Sequence, residues 1–165
     1  MDADLEQLSV QVGQALRERK LILACAESCT GGWVSEVITA TAGSSQWFDR
    51  GFVTYSNAAK QEMLGVTADT LRRHGAVSED TVRAMTTGAL RHSHAQVALA
   101  ISGIAGPTGG SSGKPVGTVC FAWALQGGEV ISETLCLSGN RETVRRRSVL
   151  RALHGLLQLL DVSKR

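Results

Sequence analysis

Ser28 lies where an apolar run meets a pair of glycines, in the segment Ala26-Glu27-Ser28-Cys29-Thr30-Gly31-Gly32. Residues 21–26 before it read as a buried strand, and residues 33–39 after it resume helical spacing through Val34, Val37 and Ile38. That order presents Ser28 at the carboxyl end of a strand, where the unpaired N–H groups of a helix start converge. A serine nucleophile there would find oxyanion donors among the backbone N–H groups from Cys29 to Gly32, and Gly31 and Gly32 would let substrate approach closely. The same spacing also suits a plain cap, with Ser28 or Thr30 closing the helix. Cys29 is a rival nucleophile and Glu27 a possible orienting acid.

A serine hydroxyl needs a base. The segment Tyr55-Ser56-Asn57-Ala58-Ala59-Lys60 offers one. Residues 51–55 read as a strand ending on Tyr55. Ser56-Asn57 caps a helix over residues 58–64 that Gly65 closes, with Lys60 near its first turn. A cation is disfavoured near a helix N-terminus, and burial would release a neutral amine able to act as base. Tyr55 would then relay a proton or hold Lys60. The plain alternative is a surface lysine beside a strand-end tyrosine. The tyrosine-to-lysine spacing is five rather than the four of short-chain dehydrogenases, which excludes that chemistry.

The glycine-rich stretch 103–114 fails as a P-loop. The required first glycine falls on Thr108, and Pro115 follows Lys114 where a hydroxyl residue is needed. It is either a loose anion-binding loop or an ordinary surface loop. His74, His92, His94 and His154 pair with no second motif and read as structural or solvated. Cys25 and Cys29 lack the partners of a zinc site, so no metal is expected. Arg141, Arg145, Arg146, Arg147 and Arg151 read as a solvated helix face.

The elements that must position these residues alternate along the chain. Helices are predicted over 5–19, 33–39, 58–64, 67–73, 78–92 and 141–160, and strands over 21–26, 51–55 and 95–102. Residues 116–125 and 129–137 form a hairpin about Gln126-Gly127-Gly128. This mixture predicts an α/β layered fold with a mixed sheet, in a single domain over residues 1–165. The last few residues are expected to fray. The 165 residues are 43% hydrophobic and 19% charged, enough for one core and unlike a disordered chain. A net charge of +2 argues against nucleic acid as a partner. The N-terminus has no leader pattern and no apolar stretch spans a bilayer, so a cytoplasmic protein with no membrane partner is expected, its four cysteines reduced.

Taken together, residues 26–32, Gly51-Phe52-Val53-Thr54-Tyr55-Ser56-Asn57, Lys60, Ser102-Gly103-Ile104-Ala105-Gly106-Pro107 and Lys114-Pro115-Val116-Gly117-Thr118-Val119 strongly resemble the CinA C-terminal domain family. His74-Gly75-Ala76-Val77-Ser78 and Ser138-Gly139-Asn140-Arg141 are also similar. The resemblance runs from about residue 5 to residue 160. It implies a three-layer α/β/α domain, commonly a homodimer, of the stand-alone form. It implies hydrolysis of nicotinamide mononucleotide to nicotinate mononucleotide and ammonia, without a cofactor, returning a breakdown product to NAD synthesis. Ser28 would be the nucleophile, Lys60 its base and Tyr55 a helper. Thr30, Gly31, Gly32, Asn57, Ser102, Gly103, Gly106 and Arg141 would hold the substrate. Ser102 stands where many relatives have threonine, which keeps the hydroxyl. Two further classes remain open. One is a nucleotide-binding module without turnover. The other is a DNA-associated protein, against which the charge and the missing recognition helix argue.

Overall fold

The central strands alternate large and small apolar residues, and this alternation builds the two faces of the sheet. In β1 (Leu23–Glu27), β3 (Val97–Gly103) and β4 (Thr118–Leu125), the residues Leu23, Cys25, Val97, Leu99, Ile101, Val119, Phe121 and Trp123 turn to one side. Ala24, Ala26, Ala98, Ala100, Cys120 and Ala122 turn to the other. Successive strand residues point to opposite faces, so the difference is written in the sequence two residues at a time.

The large-residue face is covered by α1 (Ala3–Arg19), α2 (Trp33–Thr39) and α6 (Arg141–Ser163). The small-residue face receives α3 (Asn57–Leu64), α4 (Ala68–His74) and α5 (Glu79–Arg91) through Leu64, Leu71, Val82, Met85 and Ala89. The computed structural model, which describes residues 1–163, is therefore three-layered, α/β/α, as expected. With β2 (Phe48–Val53) and β5 (Ile131–Cys136), the strand order is β2-β1-β3-β4-β5. β2, β1 and β3 are parallel, whereas β4 and β5 run antiparallel to their neighbours. The anticipated fraying of the last residues lies outside the described residues.

Local signals set the helix starts. Asp2, Ser56, Thr67 and Ser78 each accept a backbone N–H from three residues on, at the N-termini of α1, α3, α4 and α5. α5 then packs tightly. A Cβ on Gly88 would stand 2.0 Å from the Leu64 carbonyl oxygen, so only glycine lets α5 cross the end of α3 there.

β1, β3 and β4 each begin two residues later than the sequence reading, and the two edge strands differ as well. The second strand spans Phe48–Val53 rather than 51–55, because β2 is a sheet edge on which Asp49 and Arg50 interrupt the apolar pattern. Tyr55 consequently lies beyond the strand, and 63% of its surface is exposed. The hairpin is antiparallel as expected, but β5 begins at Ile131 and not at Glu129.

The chain leaves β1 for β2 on one side and reaches β3 on the other. β1 and β3 are neighbours whose carboxyl ends open at a topological switch point, the usual crevice for ligands in such sheets.

Candidate active site

Ser28 is the first residue after β1, and its N–H donates to the Ile101 carbonyl of β3 at 3.0 Å. On the other flank, the Thr54 N–H donates to the Glu27 carbonyl at 2.8 Å. These two bonds fix the serine between the ends of three parallel strands. Ser28 is 7% exposed, so its hydroxyl meets only the adjoining cleft.

Lys60 enters from α3. It and Leu64 form that helix's buried face, and only 1% of the lysine is exposed. Its Nζ donates to the Ser28 Oγ at 3.1 Å and to the Thr54 carbonyl at 2.8 Å. No carboxylate lies within ion-pair distance of Nζ among the described residues. Burial therefore lowers the Lys60 pKa from the ordinary lysine value of 10.5. The arrangement couples a serine to a buried amine without a counterion. The surface-lysine alternative is excluded by geometry.

The turn after Ser28 shows where its polar groups go. Glu27, fully buried, caps α2 from a distance. Its Oε1 accepts from the Thr30 hydroxyl at 2.7 Å and the Val34 N–H at 2.8 Å, and its Oε2 from the Ser35 N–H at 3.0 Å and hydroxyl at 2.8 Å. Glu27 is thus an anchor for the helix start rather than an orienting acid for the serine. Glu27→Ala takes the acceptor from four donors, two of them buried, in Thr30 and Val34, and two part-buried, in Ser35, and is expected to destabilise the fold by about 3 kcal/mol or more. Chemical denaturation would measure that loss, and a change below about 1 kcal/mol would contradict the anchoring role.

The Gly31 N–H is spent on the Ser28 carbonyl and the Trp33 N–H on the Thr30 carbonyl. The N–H groups of Cys29 and Thr30 have no acceptor in another described residue. The Gly32 N–H likewise has none, so of the expected donors between Cys29 and Gly32 the turn itself uses only that of Gly31. Gly31 and Gly32 adopt φ of 61° and 99°, backbone that other residues enter at a cost, so the glycine pair is required by the turn itself.

Cys29 is 6% exposed, and burial pushes its thiol up to about 11. A protonated thiol is a poor nucleophile. Cys29→Ala is expected to keep turnover within about threefold of wild type, since the side chain supplies neither the attacking atom nor a proton. Steady-state kinetics would check this.

Ser28, Cys29, Tyr55, Lys60, Ala76, Val77, Ser102, Gly103, Ala105 and Arg141 line the cleft, which holds about 280 Å³. The Ser102 hydroxyl donates to the Ala76 carbonyl at 2.8 Å and so ties the end of β3 to the opposite wall. Arg141 spans the mouth, donating from Nη1 to the Gly106 carbonyl at 2.8 Å and from Nη2 to the Tyr55 hydroxyl at 3.3 Å. Tyr55 is thus held by Arg141, and Lys60 by Ser28 and Thr54. Beyond the mouth an open groove of about 590 Å³ is lined by Thr30, Gly31, Gly32, Trp33, Glu36, Arg141, Glu142 and Arg145.

Of the residues expected to bind substrate, Ser102, Gly103 and Arg141 meet the cleft, and Thr30, Gly31 and Gly32 meet the groove. Gly106 stands behind Arg141 as its acceptor. Asn57 does not join them. It is an exposed first residue of α3 and lines neither hollow, because Ser56 provides the cap and the helix turns the next side chain outward. No histidine lines the cleft.

Sequence reasoning misjudged the arginines. Arg145 donates from Nε to the Cys29 carbonyl and from Nη2 to the Thr30 carbonyl, both at 3.0 Å. Arg146 pairs with Asp2 and Asp4, Arg147 bonds Ser138, and Arg151 pairs with Glu133. The expected solvated face is in fact a row of anchored side chains, whose partners lie too far away in the chain for charge spacing to reveal.

The chain matches the family model for the CinA C-terminal domain over residues 5–160. It is 58% identical over 157 residues to the nicotinamide-nucleotide amidohydrolase PncC of Escherichia coli (strain K12), covering 95% of each protein. A CinA-like protein of Syntrophobacter fumaroxidans is 51% identical over 155 residues, 94% of this chain but 36% of that longer protein. Among solved structures, the competence/damage inducible protein CihA from Agrobacterium tumefaciens superposes with a TM-score of 0.94 at 42% identity, covering 96% of this chain and 97% of that one.

Proposed function

The chain belongs to the CinA C-terminal domain family, and on that footing we propose that it is an amidohydrolase of nicotinamide mononucleotide, releasing ammonia and nicotinate mononucleotide. The observation that carries the reading is the 3.1 Å contact between Ser28 Oγ and the buried Lys60 Nζ at the base of the cleft. The names of relatives with near-complete coverage on both sides support the substrate class.

The mechanism we propose uses this chain's own groups. Lys60, neutral, takes the proton of Ser28, and Oγ adds to the carboxamide carbon. The oxyanion is received by the Cys29 and Thr30 N–H groups, the unspent donors of the turn nearest Ser28 in the chain. The Lys60 ammonium gives its proton, directly or relayed through Tyr55, to the nitrogen as the C–N bond breaks and ammonia departs, and is neutral again. Water, deprotonated by Lys60, then cleaves the ester on Ser28 and restores the hydroxyl. The substrate's cationic pyridinium ring withdraws electrons from the carbonyl and helps each addition. Arg141, Ser102 and Gly103 contact the ribose and phosphate.

A role in returning pyridine nucleotide to NAD synthesis, and a homodimeric state, belong to the same reading. Its test is the stoichiometric appearance of ammonia and nicotinate mononucleotide on mixing the purified protein with nicotinamide mononucleotide. Binding without ammonia release would replace the enzyme with a nucleotide-binding module.

A further inference from the structure

Arg145 is drawn into the site by an arrangement that the reaction alone does not require. Its guanidinium lies 5.3 Å from the centroid of the Trp33 ring, the first residue of α2, and reaches across to two successive carbonyls of the nucleophile turn. The cation–π contact and the fork of donors fix its plane. A Cβ on Gly31 would stand 3.6 Å from Nη2, so the turn runs directly against the guanidinium.

The consequence follows from peptide geometry. The peptide between Cys29 and Thr30 is trans, since the cis bond among the described residues is Gly106–Pro107. In a trans peptide the C=O and the following N–H point in opposite directions. By holding the Cys29 carbonyl toward α6, Arg145 aims the Thr30 N–H away from α6. By holding the Thr30 carbonyl, it aims the Gly31 N–H the same way, toward the Ser28 carbonyl that accepts it. A cation on the carbonyl also polarises the peptide and makes its N–H a stronger donor.

We propose that Arg145 is a positioning residue for catalysis, orienting and polarising the nucleophile turn so that its free N–H groups form the oxyanion hole beside Ser28. The inference rests on the serine amidase reading. It separates Arg145 from Arg141, which meets the cleft and the Tyr55 hydroxyl. Arg145 acts through the backbone, so its loss is felt where charge develops on the carbonyl oxygen and little where substrate is merely bound.

The test compares wild type, Arg145→Lys and Arg145→Met in ammonia release from nicotinamide mononucleotide, with thermal melting of each. Arg145→Met is expected to lower kcat by about tenfold to a hundredfold with KM within about threefold. Arg145→Lys keeps the charge but not the fork, and is expected to fall between the two. Folded variants with unchanged kcat, or with the loss confined to KM, would overturn the proposal. So would failure of both variants to fold, which would make Arg145 a structural residue. Silence from the wild type would instead sink the amidase reading, and this inference with it, before any variant was compared.

Discussion

Ser28→Ala is expected to lose ammonia-releasing turnover by a factor on the order of 10⁴ or more, with the fold intact. Losses of that size accompany removal of a nucleophile whose base and oxyanion hole remain. Nothing nearby replaces it. The Cys29 thiol is held protonated by burial, and the Tyr55 hydroxyl is engaged by Arg141 at an exposed mouth. Alanine removes one hydroxyl from a position already fixed by the backbone bond to Ile101, so the melting temperature should change little. Substrate should still bind, because the other groups lining the cleft are untouched. Parallel measurement of ammonia release and of nucleotide binding by calorimetry checks both halves. A variant that retained more than about a tenth of the turnover would assign the attack to water.

Lys60→Met is expected to cost about 10³-fold or more in kcat/KM, since it removes the base and nearly preserves the buried volume. The wild-type pH profile carries the same information. Activity needs the neutral amine, so it should rise with pH through the Lys60 pKa and then level off. Burial lowers that pKa, so the inflection falls below the ordinary 10.5. The stability sign agrees. Between the folded value and 10.5 the unfolded chain binds more protons at this residue than the folded one, so stability rises with pH across that window. Lys60→Met should abolish both the rising limb of residual activity and this share of the stability slope. A profile that rose only above 10.5 would contradict a buried neutral base.

Much of the fold was legible because its signals are local. The apolar runs containing Leu-Ala-Cys-Ala and Val-Ala-Leu-Ala-Ile marked the strands, and Ser56, Thr67 and Ser78 marked helix starts that the structure uses as caps. The edge strand β2 was displaced because Asp49 and Arg50 lie where no second layer demands apolar residues. In the site, Ser28 beside Gly31-Gly32 could be picked out from type and order. The burial of Lys60 could not, because one lysine among Ala58-Ala59-Lys60-Gln61-Glu62 looks solvated until the sheet closes over it. Its spacing of four from buried Leu64 was the available clue. Glu27 and Arg145 escaped for a related reason. The carboxylate of Glu27 serves N–H groups seven and eight residues onward, and Arg145 serves carbonyls more than a hundred residues back.

The central claim is that the amide is cut through an ester on Ser28. Partitioning of that ester to hydroxylamine tests it most directly. Wild-type protein turning over nicotinamide mononucleotide with added hydroxylamine should form the hydroxamate of the nucleotide, in proportion to hydroxylamine, while ammonia release continues. Ser28→Ala should form none above the enzyme-free rate. Ammonia release without hydroxamate at any hydroxylamine concentration would mean that water attacks the amide directly, and that Ser28 carries no acyl group.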